Sequence, residues 1–241
     1  MRSALFAVLF LVSGLAWSAG VALPDYERID LENGTVLLLS EKHDVPLIGL
    51  RAAVRGGSIT DPADKAGLTE LLATVMQKGA GSRDAAEFAA ASAGVGGRLS
   101  INAGVEAVTV SAEFLSRDTE LLIELVADAL LRPTLADEEF VKERDRAIGL
   151  IKAAKDADPN NLMPYYADGF LFGDHPYGNP SSGSESSLAA IEHEDLLEHY
   201  KNSFGGDRLI VSVVGDFDLA ALKARLGATF GDWGPAAAEL V

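Results

Sequence analysis

The feature that most constrains this chain is a short amphipathic segment, residues 66–81, which reads AGLTELLATVMQKGAG. Its apolar side chains recur at steps of three and four residues, at Leu68, Leu71, Leu72, Val75 and Met76. This spacing predicts an α-helix with one apolar face, and Gly79 and Gly81 predict its end. We therefore take this helix as the element around which the rest of the chain is organised.

Three positions on a neighbouring face of this helix bear on function: Glu70, Ala73 and Thr74. In inverted zinc peptidases the same register reads H-x-x-E-H, where two histidines one turn apart bind zinc and the glutamate polarises the attacking water. A catalytic zinc needs three protein ligands and an open position, and alanine cannot accept a proton from water. We therefore predict no metal site and no catalysis at these positions.

The rest of the chain predicts an antiparallel sheet with further helices. Asn33-Gly34 stands between two apolar runs and is the strongest short-range hairpin signal in the sequence. Strands are predicted at 26–31, 35–40, 47–54, 98–103, 107–114 and 207–215, the last of them nearly continuous in apolar residues and therefore central. Helices are predicted at 84–93, 118–130, 137–155, 160–172 and 219–230.

Several phrases of the sequence, taken together, resemble the M16 peptidase family, which includes pitrilysin, insulinase and the processing peptidases. The Gly-Leu before position 70 and the Lys-Gly after it resemble a family helix of the type GLAHFLEHMLFKGT, and HPYG at 175–178 and VVGDFD at 213–218 are similar to other family landmarks. The resemblance covers about Tyr26 to Trp233. It implies an α+β half-domain, in which helices pack on one side of a single, mostly antiparallel sheet.

The resemblance also bears on the third zinc ligand. In active family members an acidic residue on the long helix completes the metal site, and the matching positions here are Gly149 and Leu150. Neither side chain can bind a metal ion. We therefore expect no cofactor in this chain and zinc only in a partner subunit.

Two histidine segments could suggest a relocated site. The run 193–199, HEDLLEH, would end in H-x-x-E-H if Asp195 were histidine, but His193 lies off the helix face that Asp195 and His199 share. We interpret this run as a solvated helix face. His175 precedes a proline in a turn, where we expect a structural hydrogen bond instead of a metal ion.

Composition limits the compartment and the partners. A net charge of -16 argues against nucleic acid, and the absence of cysteine excludes disulfides and thiolate metal sites. Residues 1–22 resemble a signal peptide, with Arg2 before an apolar stretch of about a dozen residues, so we expect a periplasmic or secreted protein with no membrane span after cleavage. An uncleaved anchor is the alternative. We assign 23–233 to an M16-like N-terminal domain and 234–241 to the start of a linker to an absent second domain.

These observations favour a non-enzyme. The leading hypothesis is an exported, non-catalytic M16-like subunit that forms a heterodimer with an active subunit carrying H-x-x-E-H and helps it to bind and enclose peptide or unfolded protein. One alternative is a stand-alone peptide-binding or scaffold protein. Another is a metallopeptidase with a non-standard site built from Glu70, His175 or the 193–199 run.

Overall fold

A six-stranded sheet forms the framework of the protein. The computed structural model describes residues 24–158, 160 and 163–240. Within these residues the strands are β1 (Glu27–Asp30), β2 (Val36–Glu41), β3 (Leu47–Arg55), β4 (Gly79–Ala80), β5 (Arg83–Asp84), β6 (Arg98–Ala103), β7 (Ala107–Leu115) and β8 (Leu209–Gly215). The large sheet has the order β1-β2-β8-β3-β7-β6, and all its pairings are antiparallel except that of β2 with β8.

Helices cover one face of this sheet. In chain order, the α-helices of the described residues are α1 (Leu68–Val75), α2 (Ala85–Ala93), α3 (Thr119–Leu131), α4 (Asp137–Ala157), α5 (Met163–Phe172), α6 (Glu185–Ala190), α7 (His193–Ser203) and α8 (Leu219–Phe230). Along β3, Ile48, Leu50, Ala52 and Val54 are buried in the core that the helices complete, while the alternate side chains are less buried. The predicted fold class, an α+β domain with a mostly antiparallel sheet, is confirmed.

The predicted hairpin and the predicted central strand are both present. Gly34 has a φ of 91°, which allows the tight turn between β1 and β2. The neighbouring Asn33 donates from Nδ2 to the carbonyls of Phe230 and Trp233, at 2.8 and 2.9 Å, and so ties the turn to the end of α8. Strand β8 lies between β2 and β3, in the middle of the sheet.

The short helix α6 and the small sheet of β4 and β5 were absent from the predictions. After α1 the chain forms β4, turns, and returns as β5, in a separate two-stranded sheet. Gly79 begins β4 and Gly81 lies in the turn, with φ values of 124° and 61°, so both glycines do follow the end of the helix, as predicted. Strands of two residues carry no periodic pattern that a sequence could reveal.

The structure does not test the predicted domain boundaries, which stay predictions. Residues 1–22, the predicted signal peptide, lie outside the described residues. At the other end, the backbone N–H of Ala237 donates to the Lys201 carbonyl at 3.1 Å, and that of Ala236 to Asp207 Oδ1 at 2.8 Å, so this part of the predicted linker packs on the domain. No helix in the described part of the chain is both long and apolar enough to cross a membrane.

Candidate functional site

The site is organised by α1, which lies between the sheet and two other helices. Gly67, with a φ of 94°, precedes its first turn. Leu68, Leu71, Leu72 and Val75 are buried and anchor the apolar face that the sequence predicted. The helix contacts β6, α4 and α7, so its remaining face is presented to a cleft beside α4.

The three positions that match the zinc motif have different environments. Ala73 is 1% exposed and belongs to the core. The Thr74 hydroxyl donates to the Glu70 carbonyl at 3.0 Å, a bond inside the helix. The Glu70 side chain has no hydrogen-bond or ion-pair partner among the described residues, and partial burial of its carboxylate raises its pKa above the ordinary value.

Glu70 and Thr74 share a cavity of about 240 Å³ with the long helix α4. Leu150 lies in its wall, whereas Gly149 does not. Of the two positions proposed for the third ligand, the structure thus brings Leu150 to the cleft. The motif register itself stays a prediction.

The lining of this cavity includes the buried carboxylate of Glu143, which forms ion pairs. Glu143 is 4% exposed and accepts from Lys78 Nζ at 2.9 Å and from Arg146 Nη1 at 3.1 Å. Burial alone would raise the pKa of Glu143, but the hydrogen bonds from Lys78 and Arg146 outweigh it and hold the pKa below its usual value. The carboxylate is therefore committed to a structural ion pair.

The side chains of this cleft do not fit a zinc ion. They offer one free carboxylate at Glu70, a hydroxyl at Thr74 that is engaged with the backbone, and an aliphatic group at Leu150. Zinc in proteins takes nitrogen, sulfur or carboxylate oxygen ligands, three of them from the protein in a catalytic site. Across the described residues, no three histidine, aspartate or glutamate side chains are grouped so that they could hold a metal ion.

Three side chains of the run 193–199 each contact a different residue outside the run. His193 Nε2 lies 2.6 Å from the Leu135 carbonyl, and Asp195 accepts from Lys65 Nζ at 2.5 Å. His199 is buried, so the prediction of a solvated helix face was wrong for this residue. The helical pattern could not reveal its burial, because the residues that cover it lie far away in the sequence.

His199 belongs to a buried polar chain that the sequence analysis missed. Its Nε2 lies 2.8 Å from the hydroxyl of Thr69, which donates to Asp61 Oδ1 at 2.5 Å. Burial, and then the nearby positive charge of Arg208, lowers the pKa of His199 to about 4. Burial raises the pKa of Asp61 to about 6, although the Thr69 hydroxyl and the backbone N–H groups of Thr69 and Gly67 donate to it.

His175 takes the structural role predicted for it. Its Nδ1 accepts a hydrogen bond from the backbone N–H of Tyr177 at 3.2 Å and caps the short turn Pro176–Gly178. The structure therefore does not bring His175, Glu70 and the 193–199 run together as one set of ligands.

Beside α1, strand β6 forms an open edge of the large sheet. The backbone N–H of Gly104 donates to the Ala107 carbonyl at 2.8 Å and fixes which β6 residues pair with β7. Because hydrogen-bonded and non-hydrogen-bonded pairs alternate along an antiparallel ladder, the backbone N–H and C=O groups point away from β7 at Leu99, Ile101 and Ala103. Gln77 Nε2 donates to the Ile101 carbonyl at 2.9 Å and so caps the middle of this edge.

Comparison with known proteins agrees with this architecture. A family model described as insulinase (peptidase family M16) matches residues 36–180. An uncharacterized zinc protease of Mycobacterium leprae is 31% identical over 90% of this chain and 47% of its own length. A Helicobacter pylori protein named as the non-peptidase homolog YmxG is 23% identical over 79% of this chain and 44% of its own length.

A solved structure shows the same fold. The crystal structure of a peptidase M16 inactive domain from Pseudomonas fluorescens aligns with a TM-score of 0.81 and 21% identity, over 90% of this chain and 53% of that chain. The present chain thus spans about half the length of the proteins that it matches. The chain belongs to the insulinase family of peptidases, family M16.

Proposed function

We propose that this chain is an exported, non-catalytic M16 subunit that pairs with a zinc-bearing M16 peptidase and holds extended peptide for it. The observation that carries the proposal is the cleft between α1 and α4. Glu70, Thr74 and Leu150 lie in it at positions where a zinc peptidase needs ligands, and their chemistry does not suit zinc. Ala73, which matches the catalytic base, is a buried methyl group. One similar protein is named a non-peptidase homolog, and one similar crystal structure is described as a peptidase M16 inactive domain.

The proposed peptide-holding element is the free edge of β6. An extended peptide can join a sheet edge through backbone hydrogen bonds alone and therefore needs no catalytic side chain. The edge lies next to α1, so a peptide bound there would run beside the cleft. The carbonyl of Ile101 is held by Gln77, which leaves the outward groups of Leu99 and Ala103 as the backbone partners that we assign to the peptide.

Pairing is tested by co-purification with an M16 protein of the same genome that carries H-x-x-E-H. The tagged chain and the candidate partner are expressed together, and the mass of the complex is measured by light scattering. We expect a heterodimer whose zinc content comes from the partner. A chain that binds peptide but never assembles with such a partner would instead support the stand-alone binding protein.

The edge is tested by Ala103→Pro, with Ala103→Val as the matched control. Proline removes one outward N–H from the edge, where a strand tolerates it, while valine keeps the N–H and suits a strand. We expect Ala103→Pro to weaken binding of an extended peptide about fivefold, as for the loss of one hydrogen bond of about 1 kcal/mol. Equal peptide affinity for the two variants, both folded by circular dichroism, would contradict the assignment to β6.

Export is tested separately by the mature N-terminus. Expression in a bacterium and fractionation should recover the protein in the periplasm or medium, shortened by about the 22 residues of the predicted signal peptide. A full-length protein that stays in the cytoplasm would contradict export without affecting the proposal on pairing.

A further inference from the structure

A buried arginine without a counter-ion marks a second site. Arg208 is 3% exposed and stands immediately before β8, at the end of the short turn Gly206–Arg208. It donates from Nη1 to the Ser203 carbonyl at 3.3 Å and from Nη2 to the Ala238 carbonyl. Among the described residues, its Nε has no hydrogen-bond partner and no carboxylate forms an ion pair with it. Buried arginines are normally paired, because an unpaired charge is costly to remove from water.

Arg208 lies in the wall of a cavity of about 680 Å³, a volume within the range of small-molecule sites. The cavity runs between α7, the loop before α1, and the stretch at 238–239. His199 also lines it. This cavity is distinct from the cleft of Glu70 and Thr74, which lies between α1 and α4.

The rim of this cavity has the opposite charge. Asp64, Glu198 and Glu239 are exposed in its lining and form no ion pairs with the described residues. Asp195, also in the lining, is neutralised by Lys65 at 2.5 Å. A polyanion such as phosphate would meet these carboxylates before it reached Arg208. The arrangement suits a ligand with a single negative group flanked by a positive one.

We propose that this cavity binds the carboxyl terminus of a peptide that ends in a basic residue, with Arg208 as the partner of the terminal carboxylate. The Nε and Nη2 groups of an arginine can donate in parallel to the two oxygens of a carboxylate. The carboxylate would take the place of the Ala238 carbonyl, a neutral acceptor, at Nη2. The basic side chain of the terminal residue would lie among Asp64, Glu198 and Glu239. The choice of peptide as the ligand class rests on the proposed function.

The test compares Ala-Ala-Lys as a free acid with its C-terminal amide, by isothermal titration on the wild-type chain. We expect the acid to bind at least about tenfold more tightly, the factor that one charge-assisted hydrogen bond supplies. Equal affinities would overturn the proposal, and this comparison needs no variant. Inorganic phosphate that displaces the peptide at equal concentration would also overturn it, since the acidic rim should exclude a dianion.

Variants then locate the site. Arg208→Met should abolish the preference for the acid, while Arg225→Met, which removes an exposed arginine on α8, should keep it. Glu198→Gln should reduce the preference for Ala-Ala-Lys over Ala-Ala-Ala. An Arg208→Met protein that folds and still prefers the acid would contradict the site. If the acid and the amide bind equally while Ala103→Pro still weakens binding of an extended peptide, this site fails and the proposed β6 edge stands, so the two failures are distinguishable.

Discussion

The buried chain of Asp61, Thr69 and His199 should stabilise the docking of α1, and Thr69→Val measures its contribution. Valine keeps the shape of threonine, and Thr69 is 1% exposed, so the change removes a hydroxyl without opening a cavity. It leaves Asp61 without one donor at 2.5 Å and His199 Nε2 without its partner at 2.8 Å. A buried polar group left unsatisfied costs about 1–3 kcal/mol. Asp61 keeps two backbone donors, so we expect about 2–4 kcal/mol in total.

The matched control is Thr74→Val, five residues further along the same helix. In the described part of the chain its hydroxyl bonds only to the Glu70 carbonyl, so we expect a loss of less than about 0.5 kcal/mol. Urea unfolding followed by circular dichroism gives both free energies, provided that the dependence on urea concentration is unchanged. Thermal unfolding should show a midpoint lowered by about 5–15 °C for Thr69→Val alone. Losses for the two variants that agree within about 0.5 kcal/mol would refute the role assigned to the buried chain.

The remaining predictions concern catalysis and pH. Glu70→Ala should leave the peptidase activity of a complex with the active partner largely intact; loss of activity without loss of assembly would contradict this. The triple variant Glu70→His, Ala73→Glu and Thr74→His should bind no stoichiometric zinc, because the third ligand is still missing, and a tight one-to-one complex would show that the motif register is wrong. The pKa of His199 is about 4 when folded and about 6.5 when unfolded, so its contribution to stability is present above pH 6.5 and is lost as the pH falls through 4, by about 3 kcal/mol. The pKa of Asp61 is about 6 when folded and 3.8 when unfolded, so its pH dependence has the opposite sign. Its contribution to stability is present below pH 3.8 and is lost as the pH rises through 6. Urea unfolding of His199→Asn between pH 4 and 6.5 should therefore show stability rising on acidification, and a fall would contradict the opposed shifts.

The sheet could be predicted from the sequence because its signals are local. The alternation of β7 and the Asn-Gly turn at 33–34 depend on neighbours a few residues away, and both are present where predicted. The structure places Glu70, Thr74 and Leu150 in the lining of one cavity, while Gly149 is not part of that lining, a difference that the sequence left open.

The buried polar groups could not be predicted in the same way. Thr69 and His199 are 130 residues apart, and the helical pattern around His199 is that of an ordinary surface helix. Arg208 stands beside a strongly apolar strand, where a charged residue usually marks an exposed turn, yet the chain at 238 covers it. Burial of this kind depends on contacts between distant segments, which hydrophobic periodicity does not encode.

The most direct test of the central claim is the zinc content and activity of the isolated chain. The protein is purified without its partner, dialysed, and analysed for transition metals, and its cleavage of unfolded peptides is measured with and without a chelator. We predict well under one zinc per chain and no chelator-sensitive cleavage, with both appearing only when an H-x-x-E-H partner is added. One tightly held zinc per chain, or chelator-sensitive cleavage by the chain alone, would contradict the account.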